Sequence, residues 1–151
     1  MKKLSETLKE MGVKFTFPVQ IKNEAGDKTY YENSRGYWCK HKYDSRGNET
    51  YIEKSDGYWC KCEYDSEGRV TYVEKNNGFW REREYDSEGN TTYSENSDGD
   101  WYKSECDSEG NETYYETSNG YKKGTPRASK TCEGKVVEVD GVKYELKKIN
   151  N

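Results

Sequence analysis

The chain has 151 residues, of which 36% are charged and only 30% hydrophobic, with a net charge of -4 and a mean hydropathy of -1.39. This polarity leans toward disorder and excludes a thick two-layer core. The apolar residues are largely aromatic, with 15 Tyr, 4 Trp and 3 Phe, and such rings can cover a thin sheet. There is no run of ~20 apolar residues and no signal-peptide core near the N terminus, so we expect no membrane contact and a cytoplasmic protein, in the host cytoplasm if phage-encoded.

The first predicted element is a short helix. Leu4, Leu8 and Met11 recur at helical spacing, and Gly12 is a typical residue just beyond a helix end. We expect residues 1–14 to form a helix that caps the elements that follow.

A 21-residue repeat fills the middle of the chain, carried by two series of glycines and five columns of side chains. The glycines are Gly26, Gly47, Gly68, Gly89 and Gly110, and Gly36, Gly57, Gly78, Gly99 and Gly120; the columns are Trp38, Trp59, Trp80 and Trp101, Tyr30, Tyr51, Tyr72, Tyr93 and Tyr114, Glu32, Glu53, Glu74, Glu95 and Glu116, Thr29, Thr50, Thr71, Thr92 and Thr113, and Asp44, Asp65, Asp86 and Asp107. Because Phe17 lies one period before Trp38, we expect about five repeats over residues 15–124.

Each repeat predicts two short strands and two turns, for example strands at residues 48–53 and 58–64. The Asp-Ser-Glu-Gly turn at residues 65–68 favours a three-residue loop with a bulge. The Asp-Gly pair at residues 56–57 favours a two-residue type I′ loop. One loop of each length advances the register by 21 residues, so every repeat would turn the same faces to the same side.

This register predicts specific neighbours. Tyr51 would lie opposite Cys62, and Glu53 opposite Cys60. The Tyr and Glu columns would then share one face with the cysteines. The Trp column would occupy the other face, beside Tyr31, Ile52, Val73, Ser94 and Tyr115.

We therefore predict an all-β fold, an extended and twisted antiparallel meander of about ten strands in a single layer. The alternative is a β-solenoid, in which equivalent residues stack in parallel at ~4.8 Å. A solenoid would turn the Glu column into a ladder of like charges, which is unfavourable.

Residues 125–151 predict a further hairpin around Asp140-Gly141. Pairing Val139 with Val142 would place Val137, Tyr144 and Leu146 on one apolar face with them. We expect this hairpin to cap an open end of the array. Alternatively, it or the open sheet edges would join two copies as a homodimer.

The repeat resembles a known class. The sequence Tyr-Asp-Ser-Glu-Gly-Arg-Val-Thr at residues 64–71, followed by Gly78, resembles the YD repeat of RHS-type proteins. The hairpin rhythm is similar to MORN-type repeats, and the acidic, Tyr-rich units are similar to those of small phage and prophage proteins. Over residues 26–121 the resemblance implies tandem hairpins that serve as a shell, a spacer or a binding surface. The array is short for an RHS-type cocoon.

Charge is segregated along the chain. Residues 26–121 contain 22 acidic and 12 basic residues, a net charge of -10, which argues against direct nucleic-acid binding. The acidic surface favours a basic protein partner, such as a nucleic-acid-binding host protein. The alternative is that the carboxylates only keep the sheet soluble.

Metal, disulfide and catalytic chemistry have weak support. The pair Cys39 and His41 lies one period before the pair Cys60 and Cys62. An intervening strand would hold the two pairs too far apart to bind one zinc ion. The odd count of five cysteines argues against a disulfide framework, and His41 is the only histidine. We expect free thiols, no metal, no cofactor and no catalytic residue.

The best binding candidates are the two conspicuous columns of the array, which are Trp38, Trp59, Trp80 and Trp101, and Glu32, Glu53, Glu74, Glu95 and Glu116. They predict a non-enzymatic repeat protein that binds another protein through an acidic, aromatic-rich sheet. A phage or mobile-element inhibitor of a host defence system, such as a CRISPR effector, is the specific form of this hypothesis. The alternative is a structural or assembly module, or an antitoxin-like repeat protein without inhibitory activity.

Overall fold

The computed structural model describes residues 3–127, 136–139 and 142–145. A short helix precedes an 11-stranded antiparallel sheet in which every strand pairs with its neighbours in sequence, and a separate two-stranded hairpin follows. The elements are α1 (Leu4–Glu10), β1 (Val19–Lys22), β2 (Lys28–Glu32), β3 (Trp38–Tyr43), β4 (Glu49–Lys54), β5 (Trp59–Tyr64), β6 (Val70–Lys75), β7 (Trp80–Tyr85), β8 (Thr91–Asn96), β9 (Trp101–Cys106), β10 (Glu112–Thr117), β11 (Lys122–Gly124), β12 (Val136–Val139) and β13 (Val142–Glu145).

The predicted single-layer antiparallel meander is confirmed, and the solenoid alternative is wrong because all pairings are antiparallel. The sheet begins at Val19 rather than near residue 15. Before it, the rings of Phe15 and Phe17 pack edge to face, with centroids 5.4 Å apart. In the described residues, no helix is long and apolar enough to cross a membrane.

Both turns of the repeat are three-residue loops, so the predicted two-residue loop is wrong. The Lys54 N–H donates to the Tyr58 carbonyl at 2.9 Å, and the Gly57 N–H donates to the Lys54 carbonyl at 3.0 Å. Gly57 has φ 87°, the left-handed conformation that closes a type I turn with a bulge. Asp56 favours this longer loop because its carboxylate accepts the Tyr58 N–H at 3.0 Å.

The Thr column supplies one extra residue in every repeat. Where β5 pairs with β6, Glu63 faces Tyr72 and Tyr64 faces Val70, which leaves Thr71 without an opposite residue. The register shifts in the same way at Thr29, Thr50, Thr92 and Thr113. Each shift is a β-bulge, in which one strand contributes two residues opposite one.

These changes shift the pairing by one residue from the prediction. Tyr51 faces Lys61 rather than Cys62, and Glu53 faces Trp59 rather than Cys60. Because neighbouring residues of a strand point to opposite faces, a shift of one residue exchanges the faces. The Trp column therefore joins the Tyr and Glu columns, and the predicted separation of Trp from Glu is wrong.

We call the surface with the Tyr, Glu and Trp columns the Glu face. It also carries Lys40, Lys61, Glu82 and Lys103, and Lys42, Glu63, Glu84 and Glu105. The opposite surface is the Arg face. It carries Cys39, Cys60, Arg81 and Tyr102, His41, Cys62, Arg83 and Ser104, and Tyr31, Ile52, Val73, Ser94 and Tyr115.

Hydrogen bonds between successive repeats hold this sheet together, because few apolar side chains are buried. Among the described residues only Val19, Tyr30, Cys39 and Tyr114 are buried hydrophobics. The Tyr64 hydroxyl donates to the Glu49 carbonyl at 2.8 Å, and the Ser55 N–H donates to the Trp38 carbonyl at 2.9 Å. The bonds recur in other repeats, from Tyr85 to Val70, from Asn76 to Trp59 and from Ser97 to Trp80.

The predicted terminal elements are present. The helix at Leu4–Glu10 is confirmed, although Met11 is 70% exposed and does not pack with the half-buried Leu4 and Leu8. The hairpin pairs Val139 with Val142 and Val137 with Tyr144, as predicted. Its described apolar side chains are exposed, and Leu146 lies outside the described residues. Capping and dimerisation by this hairpin stay predictions.

The Asp column makes stability depend on pH. The Asp86 carboxylate accepts the backbone N–H of Asn90 at 2.8 Å and its side-chain amide at 3.0 Å. The amide of Asn90 is the main cause that lowers the pKa of Asp86, against a smaller opposing effect of burial. The pKa values of Asp44, Asp65 and Asp107 are lowered as well.

Above about pH 4, the ordinary pKa of an unfolded Asp, we expect the Asp column to make its full contribution to the free energy of unfolding. This contribution is lost as the pH falls through the depressed pKa values of the folded protein. Asp86→Asn should flatten the dependence, because the substituted residue cannot be protonated in this range. Urea unfolding between pH 5 and pH 2 measures the slope. Asp98→Asn is the control, since Asp98 lies in the exposed turn between β8 and β9, which has no residue of the Asp column. Equal slopes for Asp86→Asn and the wild type would contradict this account.

Candidate functional site

The structure brings both predicted binding columns together on the Glu face. Across neighbouring strands, each of four glutamates lies directly opposite a tryptophan, in the pairs Glu32 with Trp38, Glu53 with Trp59, Glu74 with Trp80, and Glu95 with Trp101. The fifth glutamate, Glu116, faces Lys103 on one side and Lys122 on the other. Lys122 holds the position one period after Trp101, and its ammonium lies 2.8 Å from the Glu116 carboxylate.

The first Tyr–Glu pair of the column is occupied by helix α1. The Glu32 carboxylate accepts the Ser5 N–H at 3.0 Å, the Ser5 hydroxyl at 2.5 Å and the Tyr30 hydroxyl at 3.0 Å. The Tyr30 hydroxyl in turn accepts the Leu4 N–H at 3.2 Å. The first N–H groups of a helix have no partner within it, so this pair satisfies two of them.

Glu32 is ionised in a closed environment. It is 1% exposed, and this burial opposes the charged form. The hydrogen bonds from the Ser5 side chain, the Ser5 backbone and Tyr30 outweigh the burial and lower the pKa of Glu32. A Tyr–Glu pair of this array can therefore hold the first turn of a helical segment.

The later Tyr–Glu pairs repeat this arrangement with more exposed carboxylates. The Tyr93 hydroxyl donates to Glu95 at 2.7 Å, and the Tyr114 hydroxyl donates to Glu116. The hydrogen bond to Glu95, followed by burial, raises the pKa of Tyr93. Glu53, Glu74 and Glu95 are half-buried, in contrast to Glu32.

One repeat departs from the charge pattern of the Glu face. Lys40 faces Glu53, and Lys61 faces Glu74, so these carboxylates have a basic residue opposite. In the next repeat, however, Glu82 faces Glu95, with Glu84 facing Tyr93 beside them. Like charges directly opposite each other destabilise an antiparallel pair. The centre of the Glu face therefore carries an acidic patch formed by Glu82, Glu84 and Glu95.

The tryptophans are less accessible than the patch. All four are half-buried, whereas Glu82 and Glu84 are exposed. The Lys103 ammonium lies 5.5 Å from the centre of the Trp101 ring, a cation–π contact within the face. The rings mainly cover the sheet, and the charged groups form its outer layer.

A second cluster lies on the Arg face. The His41 Nε2 is 3.2 Å from the Cys39 Sγ, and its Nδ1 is 2.5 Å from a carboxylate oxygen of Glu49. A thiol, an imidazole and a carboxylate in this order form the nucleophile, base and orienting group of cysteine hydrolases. Cys39 is only 9% exposed, however, so the thiol is covered by the sheet surface, whereas the Glu49 side chain is 40% exposed. The contacts of His41 tie β3 to the beginning of β4.

Cys60 and Cys62 lie on β5, separated by β4 from the thiol and imidazole of this cluster. Cys60 and Cys62 are free thiols with their sulfur atoms 3.9 Å apart. Burial, followed by the neighbouring Cys60, raises the pKa of Cys62 to about 11, so this thiol is protonated at neutral pH. Within residues 3–127, 136–139 and 142–145, no group of three or more His, Cys, Asp or Glu side chains is placed to hold a metal ion.

Comparison with known proteins supports the repeat architecture. No family model and no curated protein matches the sequence. One similar solved structure is a chain of the Tc holotoxin pore of Photorhabdus luminescens, with a TM-score of 0.52, 16% sequence identity, and coverage of 69% of this chain and 7% of that chain. This similarity shows the fold alone.

Fold and site together define a class, the tandem β-hairpin repeat proteins with an open sheet. The repeat-hairpin character that the YD-type resemblance implied is confirmed. The resemblance to MORN-type repeats and to phage proteins stays a prediction.

Sequence reasoning missed three sets of residues. The periodic Thr column is the sequence signal for the bulge. Sequence reasoning did not predict that each Thr has no opposite residue in the neighbouring strand. Glu49 is not part of a column, and Ser5 precedes the repeats, so nothing in the sequence pattern connected Glu49 to His41 or Ser5 to Glu32.

We expect Glu32→Gln to destabilise the protein by about 1–3 kcal/mol, because an amide cannot satisfy all the donors around a buried carboxylate. Limited proteolysis should also cleave residues 3–14 faster, since α1 loses its strongest attachment. Glu53→Gln is the matched control in the next repeat, where the carboxylate is half-buried, and it should cost less than about 0.5 kcal/mol. Urea unfolding gives the free energies. Equal losses for the two variants would show that α1 does not depend on Glu32.

Proposed function

We propose that this chain is a non-enzymatic repeat protein that binds another protein through its Glu face. The observation that carries the proposal is the docking of α1 on Tyr30 and Glu32. The chain itself thus provides an example of a helical segment held by a Tyr–Glu pair. The same pair of residues recurs four more times along the face, at Tyr51 and Glu53, Tyr72 and Glu74, Tyr93 and Glu95, and Tyr114 and Glu116.

The chemistry of this docking suggests the kind of partner. The donors from α1 are backbone N–H groups and a serine hydroxyl, and Lys3 adds a positive charge that helps to lower the pKa of Glu32 after the closer hydrogen bonds. A partner segment that presents N–H, hydroxyl and ammonium groups matches the later Tyr–Glu pairs, whose carboxylates are more exposed than Glu32. The net charge of -10 over residues 26–121 favours a basic partner for the same reason.

The acidic patch is the favoured contact point on this face. Glu82 lies where the neighbouring repeats have Lys61 and Lys103, so its presence leaves Glu95 facing a like charge. Such a pair costs stability without any benefit to the fold. A basic partner bound at this position would neutralise the repulsion between Glu82 and Glu95, which would account for the acidic residue at position 82.

Structural regularity supports the absence of catalysis. Carboxylates that recur five times with the period of the fold are positioned by the repeat and not by one reaction centre. The Cys39 thiol is buried, and His41 is replaced by Cys62, Arg83 and Ser104 in the other repeats.

The specific form of the proposal is a phage or mobile-element inhibitor of a host defence protein, such as a CRISPR effector. It rests on the regularly spaced carboxylates, which can imitate the phosphates of a nucleic acid before a nucleic-acid-binding protein. The alternative role is a structural or assembly module, for which the exposed hairpin of β12 and β13 and the edge strands β1 and β11 offer contacts.

The proposal predicts opposite effects of Glu82→Lys on folding and on binding. The substitution restores the Lys–Glu pairing of the neighbouring repeats, so we expect the free energy of unfolding to rise by about 0.2–1 kcal/mol. The same variant should lose the protein that the wild type captures from host lysate. Urea unfolding and quantitative mass spectrometry of the captured proteins measure the two effects.

Glu88→Lys is the matched control, because it makes the same charge change in an exposed turn. It should keep the captured protein. Contact through the Glu face is supported by a protein retained by the wild type and Glu88→Lys but lost with Glu82→Lys. Equal capture by all three chains overturns it, and so does loss with both variants, which would indicate an effect of net charge alone.

A further inference from the structure

A pocket of about 330 Å³ opens on the Arg face across β7, β8, β9 and β10. Its lining includes Arg81 and Arg83 from β7, Ser94 from β8, and the stacked rings of Tyr102 and Tyr115, whose centroids are 5.5 Å apart. The register places them side by side, because Arg83 faces Ser94 and Ser94 faces Tyr102. This pocket lies on the surface opposite the Glu face.

The pocket exists because one repeat carries small side chains. The column that contains Ser94 has Tyr31, Ile52, Val73 and Tyr115 in the other repeats, and a serine there leaves a gap beside Arg83. Ser104 replaces the larger residues of its own column in the same way. Both serines are buried, with 6% and 9% exposure, and Ser94 lines the pocket.

The positive charges of the pocket have no acidic partner in the described part of the chain. Neither Arg81 nor Arg83 has a carboxylate within salt-bridge distance among the described residues, in a region with a net charge of -10. The Arg81 guanidinium instead lies 5.5 Å from the centre of the Phe79 ring. Asp100 lines the rim, where it is exposed.

We propose that this pocket binds a phosphate monoester. Two guanidinium groups provide paired donors for oxygens of a tetrahedral anion, and the hydroxyls of Ser94, Tyr102 and Tyr115 supply further donors for the rest. A carboxylate has only two oxygens and leaves part of this donor set unused. The volume lies at the lower end of the range for small-ligand sites, large enough for a phosphate with a small ring against the tyrosines.

The experiment titrates the full chain with phenyl phosphate, inorganic phosphate and benzoate at constant ionic strength. Isothermal titration calorimetry gives the affinities, and amide chemical shifts of Ser94, Asn96 and Tyr102 report the site. We expect saturable binding of phenyl phosphate at these residues and at least about 10-fold weaker binding of benzoate. Arg81→Gln and Arg83→Gln should each weaken phenyl phosphate by about 10-fold or more, the effect of losing one charge-assisted contact. Arg46→Gln, in a turn outside the pocket, should leave the affinity unchanged.

Ser94→Val separates binding from folding. It introduces the residue that Val73 provides in the preceding repeat, so the fold should be retained while the pocket is filled and binding is lost. Tighter binding of phenyl phosphate than of inorganic phosphate supports the monoester, whereas equal binding shows that the pocket takes the free ion and overturns the monoester. Benzoate binding as tight as phenyl phosphate overturns the proposal. So does the absence of saturable shifts, or affinity unchanged in Ser94→Val and Arg83→Gln. This test is independent of the proposed function, because the pocket lies on the Arg face and the phosphate titrations need no protein bound to the Glu face.

Discussion

The constraint on which the structure depends is the parity of the strand register. Side chains alternate between the faces of a strand, so two three-residue loops alone would turn successive repeats over. The bulge at the Thr column adds the residue that prevents this. Lys61 consequently lies between Tyr51 and Glu74, so each repeat is displaced by two residues along the strands, about 7 Å, with its faces preserved. The Thr50 and Thr113 hydroxyls donate to the Lys42 and Glu105 carbonyls at 3.3 Å and 3.1 Å, which ties the bulged residue to the opposite strand.

Preserved faces turn a period in the sequence into two surfaces of different character. On the Glu face, the columns bring carboxylates beside tryptophans and tyrosines. Helix α1 covers the first Tyr–Glu pair, which is Tyr30 and Glu32. On the Arg face, the column positions tolerate His, Cys, Arg, Ser, Ile, Val and Tyr. Both candidate sites arise where one repeat departs from its neighbours. Glu82 replaces a lysine on one surface, and Ser94 replaces a larger residue on the other.

The sequence was sufficient to predict the repeat, the strands, the turn positions and the antiparallel meander, because glycines and aromatic residues mark them locally. It did not determine the loop length at Gly57, where Asp-Gly is compatible with two- and three-residue loops. One wrong loop length and one unrecognised bulge shifted the register by one residue, and this placed Glu53 opposite Cys60 instead of Trp59. The membership of both binding columns was predicted, but their common face was not. The docking of Ser5 on Glu32 depends on where a chain segment folds back, which no periodic pattern encodes.

The thin sheet also explains why departures from the pattern are tolerated. With few buried apolar residues, each repeat is stabilised by its immediate neighbours through the turn and tyrosine hydrogen bonds, as in other repeat proteins. A substitution on a face disturbs its opposite residues but leaves those backbone contacts in place. A serine at position 94 or a glutamate at position 82 therefore costs a small part of the stability of one repeat. The fold can then carry a different site on each repeat and on each face, provided that the bulge keeps the faces in register.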